Sequence, residues 1–138
     1  MKLLVAYNGS DVAKAALDLA RKQAEAFGAT VVIVNSAEGG MEESPDAIHQ
    51  TGSALEEARS YLKAAGVPCE IEQLVRGMSP AEDIVRFARE HLIDQIFVGV
   101  EKKSKTQKII LGSTAQYVIL KAGCPVTTVN TPVFPPPF

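Results

Sequence analysis

The chain has 138 residues, of which 46% are hydrophobic, 22% charged and only 6% aromatic, and its formal net charge is -2. This length and apolar fraction predict a single domain with one buried core. The near balance of 14 basic and 16 acidic side chains excludes the uniformly cationic surface of a general nucleic-acid or anionic-membrane binder, although it allows a local basic patch.

The first predicted elements are a short strand and an amphipathic helix. Residues 3–7 are a continuous apolar run, and a polar turn follows them. Ser10 is suited to cap the helix and Gly28 to end it. Between them, apolar residues recur at spacings of three and four, which indicates one buried helical face. That face comprises Val12, Ala16, Leu19, Ala20, Ala24 and Phe27.

Two further strands and a second helix are predicted next. Residues 31–34 are all β-branched, which favours a strand buried on both faces. Residues 70–75 alternate only weakly, which favours a strand near the sheet edge. A polar loop at 36–46 and a helix at about 47–65 separate these two strands.

The third helix has the clearest start in the chain. Ser79 as N-cap, Pro80 in the first turn and Glu82 three residues after the cap have the spacing of a capping box. A buried strand at 96–98 follows this helix. The residues predicted to face the core from the helix are Ile84, Val85, Phe87 and Ala88.

The last helix and strand come after a basic stretch at 101–108. The helix begins at Gly112-Ser113, and residues 125–129 form the final strand. Its predicted buried residues are Ala115, Val118, Ile119 and Ala122. Five strands that alternate with four helices predict an α/β fold, a three-layer sandwich in which helices cover both faces of a five-stranded parallel sheet.

The predicted domain spans residues 1–130, and a Pro-rich tail occupies 131–138. Four prolines prevent the tail from extending the sheet, so we expect an extended arm. The arm either drapes over a partner subunit or is disordered, and the sequence leaves both alternatives open. The apolar runs are far shorter than the roughly 18–20 residues that cross a bilayer, which predicts a cytoplasmic protein with no membrane partner.

A ligand is expected beyond the carboxyl ends of the strands, where the helix N-termini also point. Two helix starts there have a glycine just before a hydroxyl residue, at Gly9-Ser10 and Gly112-Ser113. Free backbone N–H groups at such a start favour an anion, commonly phosphate. Ser113 is equally well explained as a plain N-cap.

Standard catalytic and phosphate-binding motifs are absent from the sequence. It contains no GxxxxGK[ST], GxGxxG, GxSxG or HExxH pattern. His49 and His91 are interpreted as solvated or helix-end residues. Cys69 and Cys124 lack the spacing of a zinc site, and we expect two free, buried thiols rather than a disulfide.

One pattern in the second half resembles the universal stress protein family. Gly99, Lys102 and Gly112-Ser113 occupy the positions of the family's nucleotide-binding pattern G-x2-G-x9-G-[ST], and the strand CPVTTV follows at the expected distance. The opening LLVAYNGSD resembles the first strand and turn of the family, and GATVVIVNSAE resembles its second strand. The resemblance covers residues 1–130.

This resemblance implies a Rossmann-like, adenine nucleotide alpha hydrolase-like topology and a homodimer formed through the last strand, Val126 to Val129. In ATP-binding members the adenine and ribose lie near the first two strands, and the phosphates lie on the glycine loop. The nucleotide-binding residues implied here are Ala6, Tyr7, Asn8, Ser36, Gly99, Val100, Lys102, Gly112, Ser113 and Thr114.

Two positions depart from the family pattern. Lys102 replaces the second glycine of G-x2-G, and Asn8 replaces the aspartate of the first turn. Lys102 puts a Cβ where a phosphate would approach the backbone, but its charge can also neutralise phosphate, together with Lys103, Lys105 and Lys108. The alternative is that this lysine-rich loop is simply solvated. The amide oxygen of Asn8 can still accept a hydrogen bond from ribose, more weakly than a carboxylate does.

Three functions remain open on the sequence alone. The first is a regulatory module that binds an adenine nucleotide, AMP better than ATP, with little or no turnover and with an unidentified regulatory protein partner. The second is a dimeric interaction protein of the same fold that binds no nucleotide. The third is a slow ATPase, which needs Mg²⁺ and a general base, and only the loop residues Glu38, Glu42 and Glu43 offer one.

Overall fold

The predicted α/β architecture is confirmed. A computed structural model describes residues 1–37, 45–100, 112–130 and 136–138, and in these ranges five strands alternate with four helices. In chain order the elements are β1 Lys2–Ala6, α1 Asp11–Phe27, β2 Thr30–Ala37, α2 Pro45–Ala64, β3 Cys69–Val75, α3 Pro80–Glu90, β4 Gln95–Gly99, α4 Ser113–Lys121 and β5 Val126–Val129.

The sheet is parallel throughout and has the strand order β3-β2-β1-β4-β5. The first strand is central, with Leu3 opposite Val31 of β2 on one side and Gln95 of β4 on the other. The chain therefore winds outward from β1 in both directions. Ligands bind α/β sheets at such a reversal of strand order, beyond the carboxyl ends of the strands.

Alternate residues of β1 point to opposite faces of the sheet, and each face is covered by two helices. Leu3 and Val5 pack in a cluster with residues of α1 and α2 that include Leu17 and Leu62. Leu4 packs in the other cluster, with residues of α3 and α4. All three β1 side chains are fully buried, so the fold is a three-layer sandwich with its core on both faces of the sheet.

The predicted buried faces of α1 and α4 are correct at their centres, but residues predicted at their margins are partly exposed. In α1 the buried stripe runs through Ala13, Leu17 and Ala24, which leaves Leu19 on its margin, 39% exposed. Phe27, in the last turn of α1, is 65% exposed. In α4 the buried residues are Ala115 and Val118, followed by the cap Ala122, and Ile119 is 41% exposed on the flank. Periodicity fixes a direction for a face, but not its width.

The predicted helix caps of α1 and α3 are present. Ser10 accepts a hydrogen bond from the N–H of Ala13, and Gly28 ends α1 in the left-handed conformation at φ 66°. Ser79 accepts from the N–H of Glu82. Local capping therefore sets where α1 and α3 start, and both starts lie at the carboxyl edge of the sheet.

Phe138 packs against the same chain. Its ring stacks on Tyr61 of α2 with centroids 4.1 Å apart, and the Nζ of Lys14 lies 5.5 Å from the ring centroid. At this residue the tail therefore contacts α2 of its own chain. Residues 131–135 of the predicted tail lie outside the described ranges.

Three further findings concern the described ranges only. None of the four helices combines the length and apolarity needed to span a membrane. Cys69 and Cys124 are free thiols, half-buried rather than buried, and burial raises the pKa of both. No group of three or more His, Cys, Asp or Glu side chains that could hold a metal ion occurs among these residues.

Candidate functional site

A cavity of about 330 Å³ lies at the carboxyl edge of the sheet. The ends of β1, β2 and β4 form its floor, and the first turns of α1, α3 and α4 form its walls. This volume is at the lower end of the range for small-molecule sites, roughly 300–1,000 Å³. The described lining residues are Ala6, Tyr7, Asn8, Ser10, Val12, Ala13, Val34, Asn35, Ser36, Pro80, Ile84, Val98, Gly99, Val100, Gly112, Ser113, Thr114 and Ala115.

The turn between β1 and α1 holds Asn8 in a fixed orientation. Asn8 Oδ1 accepts a hydrogen bond from the N–H of Ser10 at 3.0 Å, and Gly9 takes φ 81°, which an L side chain rarely adopts. An amide oxygen has two lone pairs, so one remains for a ligand. The exposed Asn8 can therefore still accept a hydrogen bond from a ligand, while its first bond stabilises the turn.

Gly99 lets the end of β4 approach the first turn of α1. A β-carbon built on Gly99 would lie 2.7 Å from the carbonyl carbon of Val12 and 2.9 Å from the backbone nitrogen of Ala13. Such contacts are shorter than real Cβ atoms tolerate. The glycine that the family pattern requires is thus explained by backbone packing in this chain, independently of any ligand.

The start of α4 presents backbone donors to the cavity. The N-cap is Gly112, which has no side chain to accept a hydrogen bond from the first turn. Ser113 is the first helical residue, so its interpretation as a plain N-cap is wrong. Gly112, Ser113 and Thr114 all line the cavity. The positive end of α4 therefore faces the space where an anion would lie.

The opposite wall contains a buried ion pair that sequence patterns did not reveal. Asp83 is 0% exposed, and its Oδ1 accepts from Nε of Arg76 at 2.5 Å. Its Oδ2 accepts from the Ser36 hydroxyl at 2.9 Å. In the sequence, the only sign of this pair is the position of Asp83, an acidic residue next to the core residue Ile84 on the inner face of α3. Ser36, the predicted adenine contact, is thus hydrogen-bonded to a residue of α3 that does not line the cavity.

Tyr7 extends from the cavity floor into the core. Its side chain is 3% exposed, and its hydroxyl has no hydrogen-bond partner among the described residues. Burial, together with the nearby charge of Glu57, raises the pKa of Tyr7 to about 12. The backbone carbonyl of Tyr7 accepts from Nδ2 of Asn35 at 3.0 Å, which joins the ends of β1 and β2.

The structure brings together every predicted nucleotide-binding residue that it describes. Lys102 lies outside the described ranges, as do the other loop lysines and the three loop glutamates. Pro80 and Ile84, predicted only as a helix-start residue and a core residue, also line the cavity, and with Asn35 they complete the wall between β2 and α3. The members of the predicted set that line the cavity are Ala6, Tyr7, Asn8, Ser36, Gly99, Val100, Gly112, Ser113 and Thr114.

Comparison with known proteins gives consistent matches along nearly the whole chain. The profile of the Universal stress protein family matches residues 1–130. A universal stress protein of Methanocaldococcus jannaschii is 34% identical over 142 aligned residues, which cover 95% of this chain and 82% of that protein.

Two solved structures are similar to this chain and were determined with bound nucleotides. The universal stress protein from Archaeoglobus fulgidus in complex with dAMP has a TM-score of 0.79 and 35% identity, with 94% of this chain and 97% of the other covered. A universal stress protein in complex with cAMP has a TM-score of 0.74 and 28% identity, with 96% and 98% covered.

Proposed function

Since this chain belongs to the universal stress protein family, we propose that its cavity binds an adenine mononucleotide, AMP better than ATP, with little or no turnover. The observation that carries the proposal is the uncapped start of α4, which shares one cavity with the ends of β1 and β2. Relatives solved with dAMP and cAMP support an adenine nucleotide as the ligand.

The phosphate end of the proposed site is the first turn of α4. The N–H groups of Ser113 and Thr114 and their hydroxyls are candidate donors, and the helix dipole favours negative charge there. The described lining residues include no Lys or Arg, which suits one phosphate better than three. Any further positive charge would come from Lys102 and its neighbours in the sequence.

The nucleoside end of the proposed site lies between the turn after β1 and the end of β2. Asn8 keeps one lone pair for a ribose hydroxyl, and Pro80 and Ile84 offer apolar surface to a planar base. The distribution of polar and apolar groups thus follows that of a nucleoside monophosphate, with phosphate toward α4 and base toward α3.

Binding without turnover is proposed because the described lining offers hydroxyl, amide and apolar groups but no carboxylate or imidazole. Hydrolysis of a phosphoanhydride needs a group that orients or deprotonates water. The slow ATPase alternative therefore depends on residues outside the described ranges. It would be supported by phosphate release from ATP with Mg²⁺ that rises in proportion to the protein.

The proposal is tested by titration calorimetry with AMP, ATP and adenosine, with and without Mg²⁺. Ser113→Asp places a carboxylate beside the proposed phosphate, and we expect it to weaken AMP binding by about tenfold or more while adenosine binding changes little. An acidic residue in the first turn also stabilises a helix, so the melting temperature should not fall. Ser113→Asn is the neutral control of similar size.

Failure of AMP, ATP and adenosine to bind at millimolar concentration would contradict the proposal and favour the interaction-protein alternative. Equal loss of AMP and adenosine binding in Ser113→Asp would also contradict it, because the phosphate would then lie elsewhere. AMP binding retained in Ser113→Asn and lost in Ser113→Asp is the expected pair of results.

We also propose that a second copy of the chain pairs along β5. This strand lies at one end of the sheet order, and the carbonyls of Pro125 and Val129 accept from β4. Because backbone groups alternate in direction along a strand, the N–H and C=O of Thr128 point to the open edge. Thr128 is exposed in the single chain.

The dimer is tested by size-exclusion chromatography with light scattering. Thr128→Pro removes an N–H on the open edge without removing a bond to β4, and we expect it to be monomeric. Thr128→Ala keeps the N–H and should stay dimeric. A wild-type monomer at micromolar concentration would contradict the proposal. The regulatory partner and the cytoplasmic location stay predictions, the latter supported by the two free thiols.

A further inference from the structure

In the cavity wall formed by β2 and α3, the hydroxyl of Ser36 is oriented by a hydrogen bond to a residue outside the cavity lining. Ser36 lines the cavity, and its Oγ lies 2.9 Å from Oδ2 of Asp83. Asp83 has no exposed surface, and its other carboxylate oxygen is held by Arg76. The same guanidinium donates to the backbone carbonyl of Asp83 and to Glu90, at 3.3 Å in each case.

These contacts determine where the Ser36 proton lies. A carboxylate paired with a guanidinium accepts hydrogen bonds and donates none, so the serine must be the donor in its contact with Asp83. A serine hydroxyl has only one proton. The Ser36 hydroxyl therefore presents lone pairs, and no proton, to a ligand in the cavity.

Apolar residues around Ser36 make its lack of a free proton important for ligand selection. Val34, Pro80 and Ile84 line the cavity along with Ser36, and a ligand packed against their apolar side chains displaces water that could otherwise bridge two acceptors. A ligand group that can donate to Ser36 completes its hydrogen bond. A ligand acceptor at the same place leaves two sets of lone pairs facing each other, and a polar site rejects such a mismatch strongly.

We propose that Ser36 is a specificity-determining residue that selects a nucleobase with an exocyclic amino group over one with a keto oxygen at the same position. Asp83 and Arg76 are its positioning residues, since they hold the hydroxyl as an acceptor without facing the ligand. This inference rests on the proposed function, because it needs a nucleobase at the β2–α3 wall.

The test compares AMP with inosine monophosphate, which carries a keto oxygen in place of the amino group. We expect wild-type protein to bind AMP about tenfold or more tightly than inosine monophosphate. In Ser36→Ala, AMP binding should weaken while inosine monophosphate binding does not, which brings the ratio of the two affinities toward one. Ser60→Ala, on an exposed position of α2, is the control and should keep the wild-type ratio.

Asp83→Asn tests the positioning role. A carboxamide donates as well as accepts, so the Ser36 hydroxyl is free to turn its proton toward a keto oxygen. We expect the preference of Asp83→Asn for AMP to fall at least as far as in Ser36→Ala. In addition, Asp83→Asn should bind inosine monophosphate more tightly than the wild type does. Ser36→Ala keeps the buried ion pair, so it tests the inference even where Asp83→Asn folds poorly.

The outcomes separate this inference from the proposed function. Equal affinity of the wild type for the two nucleotides, or an unchanged affinity ratio in Ser36→Ala, would overturn the role of Ser36. In either case, binding of AMP by the wild type would still support the proposed function. Failure of both nucleotides to bind would overturn the two together. A ratio that falls in both variants and persists in Ser60→Ala supports the inference.

Discussion

A β-carbon on Gly99 would lie 2.7 Å from the carbonyl carbon of Val12, and the atoms it meets are backbone. Backbone in the first turn of a helix yields only if the helix moves, so we expect Gly99→Ala to lower the free energy of unfolding by about 1–3 kcal/mol. It should also weaken AMP binding, because α1 forms one wall of the cavity. Urea denaturation and calorimetry measure the two effects.

Gly52 in α2 is the matched control for that substitution. A β-carbon there meets nothing within 4 Å. Because glycine disfavours helix interiors, Gly52→Ala should raise the free energy of unfolding by roughly 0.5–1 kcal/mol. If Gly99→Ala were as stable as Gly52→Ala, the close approach of β4 and α1 would not constrain residue 99.

Lys102 tests which nucleotide the site prefers. Lys102→Gly restores the spacing G-x2-G with Gly99, and glycine lets a phosphate approach the backbone. We expect the affinity for ATP to rise relative to AMP by about threefold to tenfold, an effect of roughly 1 kcal/mol. Lys102→Ala removes the same charge but keeps a Cβ, so it should not reproduce the gain. Equal behaviour of the two variants would indicate that charge, not backbone access, sets the preference.

At the scale of elements, a polar cluster joins the outer sides of α1 and α2. Asp18 of α1 accepts from Tyr61 of α2 and from Arg21, and Arg21 also donates to Tyr61 at 2.9 Å. Burial raises the pKa of the Asp18 carboxyl, but the hydrogen bonds from Tyr61, Arg21 and Lys22 outweigh burial and hold it below its ordinary value of 3.8. The charged form of Asp18 therefore stabilises the packing of α1 on α2.

This cluster predicts a loss of stability in acid. Because the folded pKa of Asp18 is lowered, its contribution is fully present above pH 3.8 and is lost as the pH falls through the folded value. We expect Asp18→Asn to lower the free energy of unfolding by about 1–2 kcal/mol at neutral pH and to converge with the wild type in strong acid. Thermal unfolding between pH 7 and pH 2 measures the difference.

Glu25→Gln provides the control for Asp18→Asn. Glu25 pairs with the same arginine, but its side chain is 43% exposed, and exposed ion pairs contribute little. Its stability should stay within about 0.5 kcal/mol of the wild type at every pH. A wild-type pH profile that Asp18→Asn reproduces unchanged would show that the carboxylate does not link the two helices.

Element boundaries and burial directions were largely predictable from the sequence, whereas pair contacts were not. The β-branched run at 31–34 and the caps Ser10 and Ser79 signal their elements directly, because the cause lies within a few residues. The bond from Ser36 to Asp83 joins residues 47 apart. No local pattern records such a contact, since it depends on how α3 packs across the end of β2.

At the scale of the whole molecule, Phe138 connects the end of the chain to α1 and α2. Its ring stacks on Tyr61 with the ammonium group of Lys14 5.5 Å from its centroid, and it packs against the core cluster on that face. We expect Phe138→Ala to lower the free energy of unfolding by about 1 kcal/mol through the lost stacking and cation–π contacts. Phe27→Ala removes an equal side chain that is 65% exposed, and it should cost less. Equal effects would contradict the packing of Phe138.

The class of the fold follows from the alternation of strands and helices, and the resemblance to universal stress proteins predicts residues that the structure brings together around one cavity. The stacking of Phe138 on its own α2 was not among the predictions made from the sequence. Four prolines indicate that the tail is not a strand, but they carry no information on where an aromatic ring at its end will settle.

The central place of β1 has a consequence for folding as the chain is synthesised. The backbone N–H of Lys2 donates to the carboxylate of Asp94, 92 positions later. The strand β1 has only one of its two neighbouring strands until β4 has emerged. Such a separation of contacts slows folding, because a long loop must close before its contacts stabilise anything. The cavity has walls from both halves of the chain, so a ribosome-bound fragment that ends before β4 lacks part of the cavity.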